Sequence, residues 1–272
     1  MQSKERVVKH PSFETWNSTT IEIDKVVQTD TATVLHIKAF FRPKNWIQIS
    51  PDSYLKDDKG IKYAIKGGLD ITLGKYLWMP ESGERDFQLF FPPMPSSVKS
   101  FDFIESDCSD CFKIWGIQLK GKKLPKVQLP KEIVNQQLDF NAPLPTTEIK
   151  FGKAIISGRL LGYRGNMQTK VSIGDVLSCE YRDIPLKIEQ NGNFKLEIET
   201  LIPTTVDLFV GKMNIAVCVA PGEESKVYVN LQEFARRQSR LRKDEPKQGK
   251  TACFGGYMAA VNTEIAETGY DI

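Results

Sequence analysis

The sequence is poor in histidine, because His10 and His36 are the only two in 272 residues. Histidine is a common general base and metal ligand near neutral pH, so its scarcity excludes most histidine-based catalysis and most zinc sites. No stretch approaches the roughly 20 apolar residues that a membrane-spanning helix needs. The amino-terminal run MQSKERVVKHPSF has no apolar signal-peptide core. We therefore expect a protein that does not span a membrane and has no catalytic histidine.

The sequence also carries little net charge and few cysteines. A formal charge of +3 is too small to indicate a nucleic-acid or membrane partner, and we expect no nucleic-acid partner. Five cysteines are too few for a disulfide-dense scaffold, and their odd number leaves at least one thiol outside any intramolecular pair. The apolar fraction of 40% is typical of a folded globular protein, and 272 residues suffice for two domains.

The first part of the chain, residues 1–119, has the period-two apolar pattern of β-strands. One face of a predicted strand carries Leu35, Ile37, Ala39 and Phe41. The run DDKG at 57–60 favours a hairpin turn, and prolines end several of the strands. Seven or eight short strands at such spacing are typical of an Ig-like or related β-sandwich.

The rest of the chain divides into three further segments. Residues 120–151 are rich in lysine and proline and predict a connector, while residues 152–231 predict a second, smaller β-sandwich. Within the second sandwich, Asn191-Gly192 predicts a type I′ hairpin, which needs positive φ at both residues. Residues 232–272 have a helical period and predict a helical carboxy-terminal segment. The predicted fold class is therefore mainly β, with two joined sandwiches and short terminal helices.

Cys108 and Cys111 form the one motif with chemical promise. A redox dithiol works because its first cysteine begins a helix, whose dipole lowers the pKa of the thiol. Here the following run FKIWGIQL reads as a strand, and Asp107 and Asp110 disfavour a thiolate. The sequence therefore favours a local disulfide or plain loop thiols over a redox centre or a metal site, which would need four ligands.

Other candidate residues favour a structural interpretation over a functional one. His36 lies in a predicted strand with no organised nucleophile beside it. The basic run 236–250 predicts a solvated helix face and loop rather than a phosphate site. Tryptophans in sandwich strands belong to the core more often than to a sugar-stacking platform. The four tryptophans are Trp16, Trp46, Trp78 and Trp115. We identify no catalytic, cofactor-binding or metal-binding residue and expect no cofactor.

Two long runs carry a resemblance to a known family. The first part of the match consists of the run TTIEIDKVVQTDTATVLHIKAFFRPKNWIQIS and the run from LWMPESGERDF to the segment containing Cys108 and Cys111. Both runs resemble the amino-terminal region of Bacteroidetes thioredoxin-like (TlpA-type) thiol-disulfide oxidoreductases. The block from ISGRLLGY to APGEESKVYVNL is similar to the β domain that often precedes their thioredoxin domain. The resemblance implies a periplasmic or otherwise extracytoplasmic setting. It transfers no catalytic residue, because the Trp-Cys-x-x-Cys site of that family is not matched here.

Three functions follow as hypotheses. The leading one is a non-catalytic extracytoplasmic accessory module that docks a thioredoxin-like domain or its protein client, as the resemblance implies. The second is a glycan- or ligand-binding β-sandwich that uses exposed aromatic residues. The third is a thiol-disulfide oxidoreductase that uses Cys108 and Cys111. A tryptophan cleft at the surface would favour the second hypothesis, and a depressed thiol pKa would favour the third.

Overall fold

The computed structural model describes residues 5–120, 124, 126–146, 148–174, 178–246 and 248–268. The protein is mainly β and contains two β-sandwiches in two compact units. Unit 1 comprises Met1–Pro125 and Ala235–Pro246. Unit 2 comprises Lys126–Phe234 and Lys247–Ile272. Both units are therefore built from two separate stretches of the chain.

Unit 1 contains two five-stranded sheets and a two-stranded ribbon. Its strands are β1 (Arg6–Lys9), β2 (Thr15–Trp16), β3 (Ile21–Gln28), β4 (Thr33–Phe40), β5 (Trp46–Ile47), β6 (Tyr54–Asp57), β7 (Lys62–Ala64), β8 (Gly67–Leu69), β9 (Leu77–Trp78), β10 (Glu84–Phe91), β11 (Ser100–Ile104) and β12 (Lys113–Gln118). The sheet orders are β1-β3-β4-β10-β8 and β2-β12-β11-β6-β7, and β5 pairs with β9. Every pairing in unit 1 that joins these strands is antiparallel.

The core of unit 1 lies between its two large sheets. Phe91 on β10 meets Phe103 on β11 edge to face, with ring centroids 6.5 Å apart, which joins the sheets through aromatic packing. Three of the four residues that predicted one strand face, Leu35, Ile37 and Ala39, are fully buried. Phe41 lies beyond the end of β4 and is 38% exposed, so its place on that buried face was predicted wrongly. The predicted hairpin at 57–60 is confirmed, because β6 pairs with β7.

Unit 2 contains two four-stranded sheets and helical segments. Its strands are β13 (Gly152–Leu161), β14 (Thr169–Gly174), β15 (Tyr181–Pro185), β16 (Asn193–Thr200), β17 (Thr204–Val210), β18 (Met213–Val219), β19 (Glu224–Asn230) and β20 (Ala252–Gly256). The sheet orders are β16-β13-β19-β20 and β15-β14-β17-β18. The pair β13 and β19 is parallel. Among the described residues, the helices are α1 (Lys131–Val134), α2 (Leu231–Gln238) and α3 (Ala259–Thr268), and a 3₁₀ turn spans Arg240–Arg242.

Two predicted segment assignments need correction. The segment 232–272 is not wholly helical, because it contains β20, which pairs with β19. Glycine is depleted in strands, so the sequence ACFGG of β20 does not predict a strand. From residue 126 the predicted connector 120–151 belongs to unit 2, and its Glu132, on α1, accepts the hydroxyl hydrogen bond of Tyr228 on β19 at 3.0 Å. Part of that connector is therefore attached to unit 2, while 121–123, 125 and 147 lie outside the described residues.

A buried carboxylate ties the second stretch of unit 1 to the first. Glu22 on β3 is 2% exposed. Its carboxylate accepts the hydroxyl of Ser239 at 2.6 Å and the backbone N–H groups of Arg240 and Leu241 at 2.7 and 3.3 Å. A buried charge is tolerated only where such hydrogen bonds replace its hydration. Residues 235–246 therefore complete unit 1 chemically as well as sterically.

The turn at Asn191-Gly192 differs from the predicted type I′ hairpin. Gly192 has φ +86°, whereas Asn191 does not have a positive φ. Gly192 donates to the carbonyl of Glu189, and Glu189 donates to the carbonyl of Asn193, both at 2.9 Å. This pattern is a type I turn followed by a glycine bulge. The preceding strand β15 pairs with β14 and the following strand β16 pairs with β13, so the turn connects two sheets.

We expect Gly192→Ala to lower the free energy of unfolding by more than Gly165→Ala. A Cβ at position 192 would lie 2.3 Å from the carbonyl oxygen of Leu160, in addition to the strain of φ +86°. Gly165 has φ +77° but no described heavy atom within 4 Å of its Cβ position. The control should therefore lose about 1 kcal/mol and Gly192→Ala about 2–4 kcal/mol in urea denaturation. Equal losses would contradict the steric argument.

Candidate functional site

The first candidate site is the loop that carries Cys108 and Cys111. The two sulfur atoms are bonded at 2.02 Å, with their Cα atoms 5.4 Å apart. Cys108 is exposed and Cys111 is partly buried. The run after Cys111 forms the strand β12, as the sequence predicted, and no helix begins at the cysteines. The helix dipole that activates a redox dithiol is therefore missing from this loop.

Two charged side chains hold the backbone of this disulfide loop. The Glu105 carboxylate accepts the N–H groups of Phe112 at 2.7 Å and Ser50 at 3.1 Å. Burial raises the pKa of Glu105, although these two hydrogen bonds oppose the shift. The Lys113 ammonium donates to the carbonyl oxygens of Cys108 and Cys111. Burial lowers the pKa of Lys113. Both charged groups therefore bind main-chain atoms, which are two carbonyls and one N–H group of the loop and the N–H group of Ser50.

The amide of Asn17 holds the same loop from a third side. Its Nδ2 donates to the carbonyl of Cys111 at 2.7 Å, and its Oδ1 accepts the N–H of Lys113 at 2.9 Å. At the outer edge of the loop, the Tyr54 hydroxyl donates to Asp107 at 2.9 Å. These contacts keep the loop in place independently of the sulfur–sulfur bond. The arrangement is suited to a structural disulfide.

We expect the double variant Cys108→Ser/Cys111→Ser to fold with a small loss of stability. The closed loop is very short, so the bond removes at most about 2 kcal/mol of unfolded-state entropy. The hydrogen bonds from Asn17 and Lys113 to the loop carbonyls remain in the variant. Thermal denaturation of both proteins measures the difference.

The same cysteines should show no oxidoreductase turnover. Insulin reduction by the purified chain with dithiothreitol should not exceed the rate with dithiothreitol alone. The matched control is Cys253→Ser, because Cys253 is a free, half-buried cysteine in unit 2. Insulin turnover that Cys108→Ser abolishes and Cys253→Ser preserves would establish the oxidoreductase hypothesis.

Cys218, Cys253 and His36 are partly buried strand residues, whereas Cys179 lies outside the strands. Burial raises the pKa of Cys218 and of Cys253, which disfavours thiolate formation at both. Cys179 is exposed and has φ +58°. His36 lies half-buried on β4, where burial and then Lys25 lower its pKa. In the described ranges, no three His, Cys, Asp or Glu side chains lie together as a metal site.

The basic run 236–250 is less solvated than its sequence predicts. Arg236 and Arg242 are each 8% exposed, within unit 1. Arg236 donates to the carbonyl of Pro246 at 2.6 Å, and Arg242 donates to the carbonyl of His10 at 2.8 Å. The prediction of a solvated helix face and loop was therefore wrong for these two arginines. A guanidinium carries five N–H donors, which allows it to be buried where carbonyl acceptors meet it.

The tryptophans separate into a buried pair and an exposed pair. Trp16 and Trp115 are 1% and 4% exposed and belong to the core, as the sequence predicts. Trp46 and Trp78 are 42% and 57% exposed, so the core prediction was wrong for this pair. Trp46 lies directly opposite Trp78 in the β5–β9 pairing. The structure therefore brings together two aromatic residues that are 32 positions apart in the chain.

We name the outer face of this two-stranded element the aromatic ribbon, formed by Trp46, Tyr76 and Trp78. Tyr76 is 59% exposed, and its ring centroid lies 4.1 Å from that of Trp46, with the ring planes tilted by 31°. The opposite face carries Ile47 and Met79, which are buried in the core of unit 1. Side chains alternate along a strand, so core packing of one face holds the aromatic face outward.

Charged groups of both signs surround the aromatic ribbon. The ammonium of Lys44 lies 3.2 Å from the carboxylate of Glu81. Arg85 donates to the carbonyl oxygen of Trp78 at 3.0 Å. Backbone hydrogen bonds hold the two strands of the ribbon together, including the one from the N–H of Met79 to the carbonyl of Asn45 at 2.8 Å. The ribbon is thus a braced aromatic surface with polar edges, and these contacts contain two cations, Lys44 and Arg85, and one anion, Glu81.

A local signal for the ribbon exists in the sequence. The run YLWM at 76–79 is apolar or aromatic on both faces of a strand, although charged residues and proline flank it. In a sandwich strand with one solvated face, alternating polar residues are the usual pattern. A strand that is apolar on both faces needs a second partner or leaves one face exposed. Pairing of β9 with β5 determines which of these two arrangements occurs.

Comparisons with known proteins leave the family of this chain unassigned. No family model matches the sequence, and no curated protein matches it. A matching solved structure is a pullulanase complexed with maltotetraose from Anoxybacillus sp. LM18-11, at 10% identity and a TM-score of 0.23. That match covers 66% of this chain, which spans 22% of the pullulanase chain. A likeness at this level carries no argument about function. Within the described part of the chain, no helix has the length and apolarity to cross a membrane.

Proposed function

We propose that this chain is a non-catalytic, extracytoplasmic binding module and that the aromatic ribbon is its binding surface. The observation that carries the proposal is the joint exposure of Trp46, Tyr76 and Trp78 on one face whose reverse side is core. Clustered exposed aromatic residues on a soluble protein mark an interaction site. Rigid rings also lose little conformational entropy when they bind.

The disulfide supports the extracytoplasmic part of this proposal. Bonds such as Cys108–Cys111 persist in oxidising compartments and are rare in a reducing cytosol. The resemblance to TlpA-type proteins implies the periplasm in particular. The non-catalytic part is supported by the charges beside the disulfide, because Glu105 and Lys113 bind loop backbone.

We expect a ligand of the module to perturb the indole N–H resonances of Trp46 and Trp78 and to leave those of Trp16 and Trp115 in place. The first pair is exposed and the second pair is buried, so the four indoles report separately on the surface and the core. Two-dimensional ¹H–¹⁵N spectra of the full chain would be recorded with a panel of oligosaccharides, peptides and small aromatic compounds.

Assignment of these resonances uses the variants Trp46→Phe and Trp78→Phe. The control surface is Tyr181 on β15 in unit 2, whose side chain is also highly exposed. A panel in which no compound shifts the Trp46 or Trp78 resonance would refute the binding role of the aromatic ribbon. Shifts confined to the surroundings of Tyr181 would refute it as well.

A second candidate function is the accessory role beside a thioredoxin-like domain. The exposure of Cys108 favours it, because a partner that binds disulfides could reach this sulfur without unfolding of the loop. The resemblance of the sequence to TlpA-type proteins supplies the partner class. In this role the chain would dock the domain or its client protein and leave the chemistry to that domain.

We expect an excised TlpA-type thioredoxin domain to co-elute with the full chain in size-exclusion chromatography. Cys108 and Cys111 should stay oxidised in that complex, which thiol labelling under denaturing conditions measures. The double variant Cys108→Ser/Cys111→Ser tests whether the loop contributes to docking. Separate elution of the two proteins at all concentrations used would remove this candidate.

A further inference from the structure

We infer that the aromatic ribbon binds an uncharged oligosaccharide through the faces of Trp46, Tyr76 and Trp78. The inference rests on the proposed binding function and assigns its ligand class. A pyranose ring presents C–H groups on its faces and hydroxyl groups around its edge. The C–H groups pack against the electron-rich face of an aromatic ring, and the hydroxyl groups need polar partners beside that ring.

The exposed area of the ribbon suits a small ligand better than a folded partner. The three side chains are 42%, 59% and 57% exposed. An aromatic side chain has about 150–250 Å² of surface, so the ribbon exposes roughly 300 Å² of aromatic area. A stable protein interface needs about 800 Å² from each partner. The aromatic area is therefore too small to hold a globular partner alone, whereas it can cover a few sugar rings.

The charges beside the ribbon favour a ligand without net charge. Lys44 is paired with Glu81 at 3.2 Å, and both side chains are almost fully exposed. The guanidinium of Arg85 is bound to the carbonyl oxygen of Trp78. Lys44, Arg85 and Glu81 supply two cations and one anion, so a basic ligand is repelled, and an acidic ligand gains a single excess cation whose attraction is screened at this exposed surface. The hydroxyl groups of a sugar can instead accept from Lys44 and donate to Glu81 without breaking charge neutrality.

The ring arrangement gives an extended surface rather than a closed pocket. Tyr76 packs against Trp46 at 4.1 Å, and Trp46 faces Trp78 across the strand pair. Directly opposite residues have Cβ atoms about 5 Å apart, and diagonal ones about 7–8 Å apart. The stacked rings of Trp46 and Tyr76 and the ring of Trp78 thus occupy neighbouring positions on one face of the strand pair. Such a surface would bind internal segments of a polysaccharide as well as its ends.

The test is native affinity electrophoresis of the full chain in gels that contain soluble polysaccharides. The neutral polymers are dextran, galactomannan, xyloglucan, arabinoxylan and mixed-linkage β-glucan, and polygalacturonate is the anionic comparison. We expect at least one neutral polymer to retard the protein with a dissociation constant on the order of 0.1–1 mM per site, because a small exposed platform binds weakly. Retardation by polygalacturonate should be smaller.

Variants distinguish ring stacking from other binding. Trp46→Ala and Trp78→Ala should each weaken binding about tenfold or more, because each removes one stacking face and its buried area. Trp78→Phe should retain part of the affinity, and Trp78→Leu should lose it, since leucine is apolar but has no ring face. Tyr181→Ala in unit 2 is the matched control and should bind like the parent. Thermal denaturation verifies that each variant is folded.

The outcomes separate this inference from the proposed binding function. No retardation by any neutral polymer would overturn the inference, and so would binding that Trp46→Ala and Trp78→Ala leave unchanged. Stronger retardation by polygalacturonate would also overturn it, because charge would then govern recognition. If peptides or small aromatic compounds shift the Trp46 and Trp78 indole resonances while the polysaccharides fail, the binding function stands and its ligand class is wrong. If no compound shifts them, both proposals fail.

Discussion

The alternation of side chains between the two faces of a strand governs the structure of this protein. In the sandwich of unit 1, the inner faces of both large sheets are apolar, and aromatic contacts such as Phe91 with Phe103 join them. The strand pair β5–β9 shows the same alternation over fewer residues. Its inner face, with Ile47 and Met79, belongs to the core, and its outer face has aromatic residues in place of polar ones. Burial of one face therefore determines where the exposed rings stand.

Charged residues inside unit 1 serve the backbone. Glu22 binds the backbone of 240–241, Glu105 binds the N–H of Phe112, and Lys113 binds the carbonyls of the two bonded cysteines. Each of these buried charges is stable only because polar backbone groups replace water around it. Loops of irregular conformation contain backbone N–H and C=O groups that are not hydrogen-bonded within a sheet, so these groups can bind a charged side chain.

The return of residues 235–246 to unit 1 gives the molecule a discontinuous domain. A carboxylate on β3 and donors more than 200 positions later form one hydrogen-bond cluster. Sequence reasoning assigns these arginine-rich residues to a solvated helix because their charge dominates the local pattern. Arg236 and Arg242 reach backbone carbonyls instead, and their aliphatic stems can then be buried. Long-range pairing of this kind leaves no periodic signal in the chain.

Much of the fold follows from the sequence alone. Period-two alternation predicts the β class and the two sandwiches, because strand periodicity is local and strong. The turn-forming run DDKG predicts the hairpin at 57–60. The strand after Cys111 is likewise visible in its alternating apolar residues.

Tertiary structure decides what local patterns leave open. Both Trp16 and Trp46 lie in short strands, and only the packing of unit 1 buries the first and exposes the second. The sequence correctly predicts a turn at Gly192. It does not show that the strands on either side of this turn pair in two different sheets. The strand β20 forms because its backbone pairs with the edge of β19. The glycine-rich sequence of β20 does not predict this pairing. Periodicity is a property of neighbouring residues, whereas burial and strand pairing depend on residues that meet only after folding.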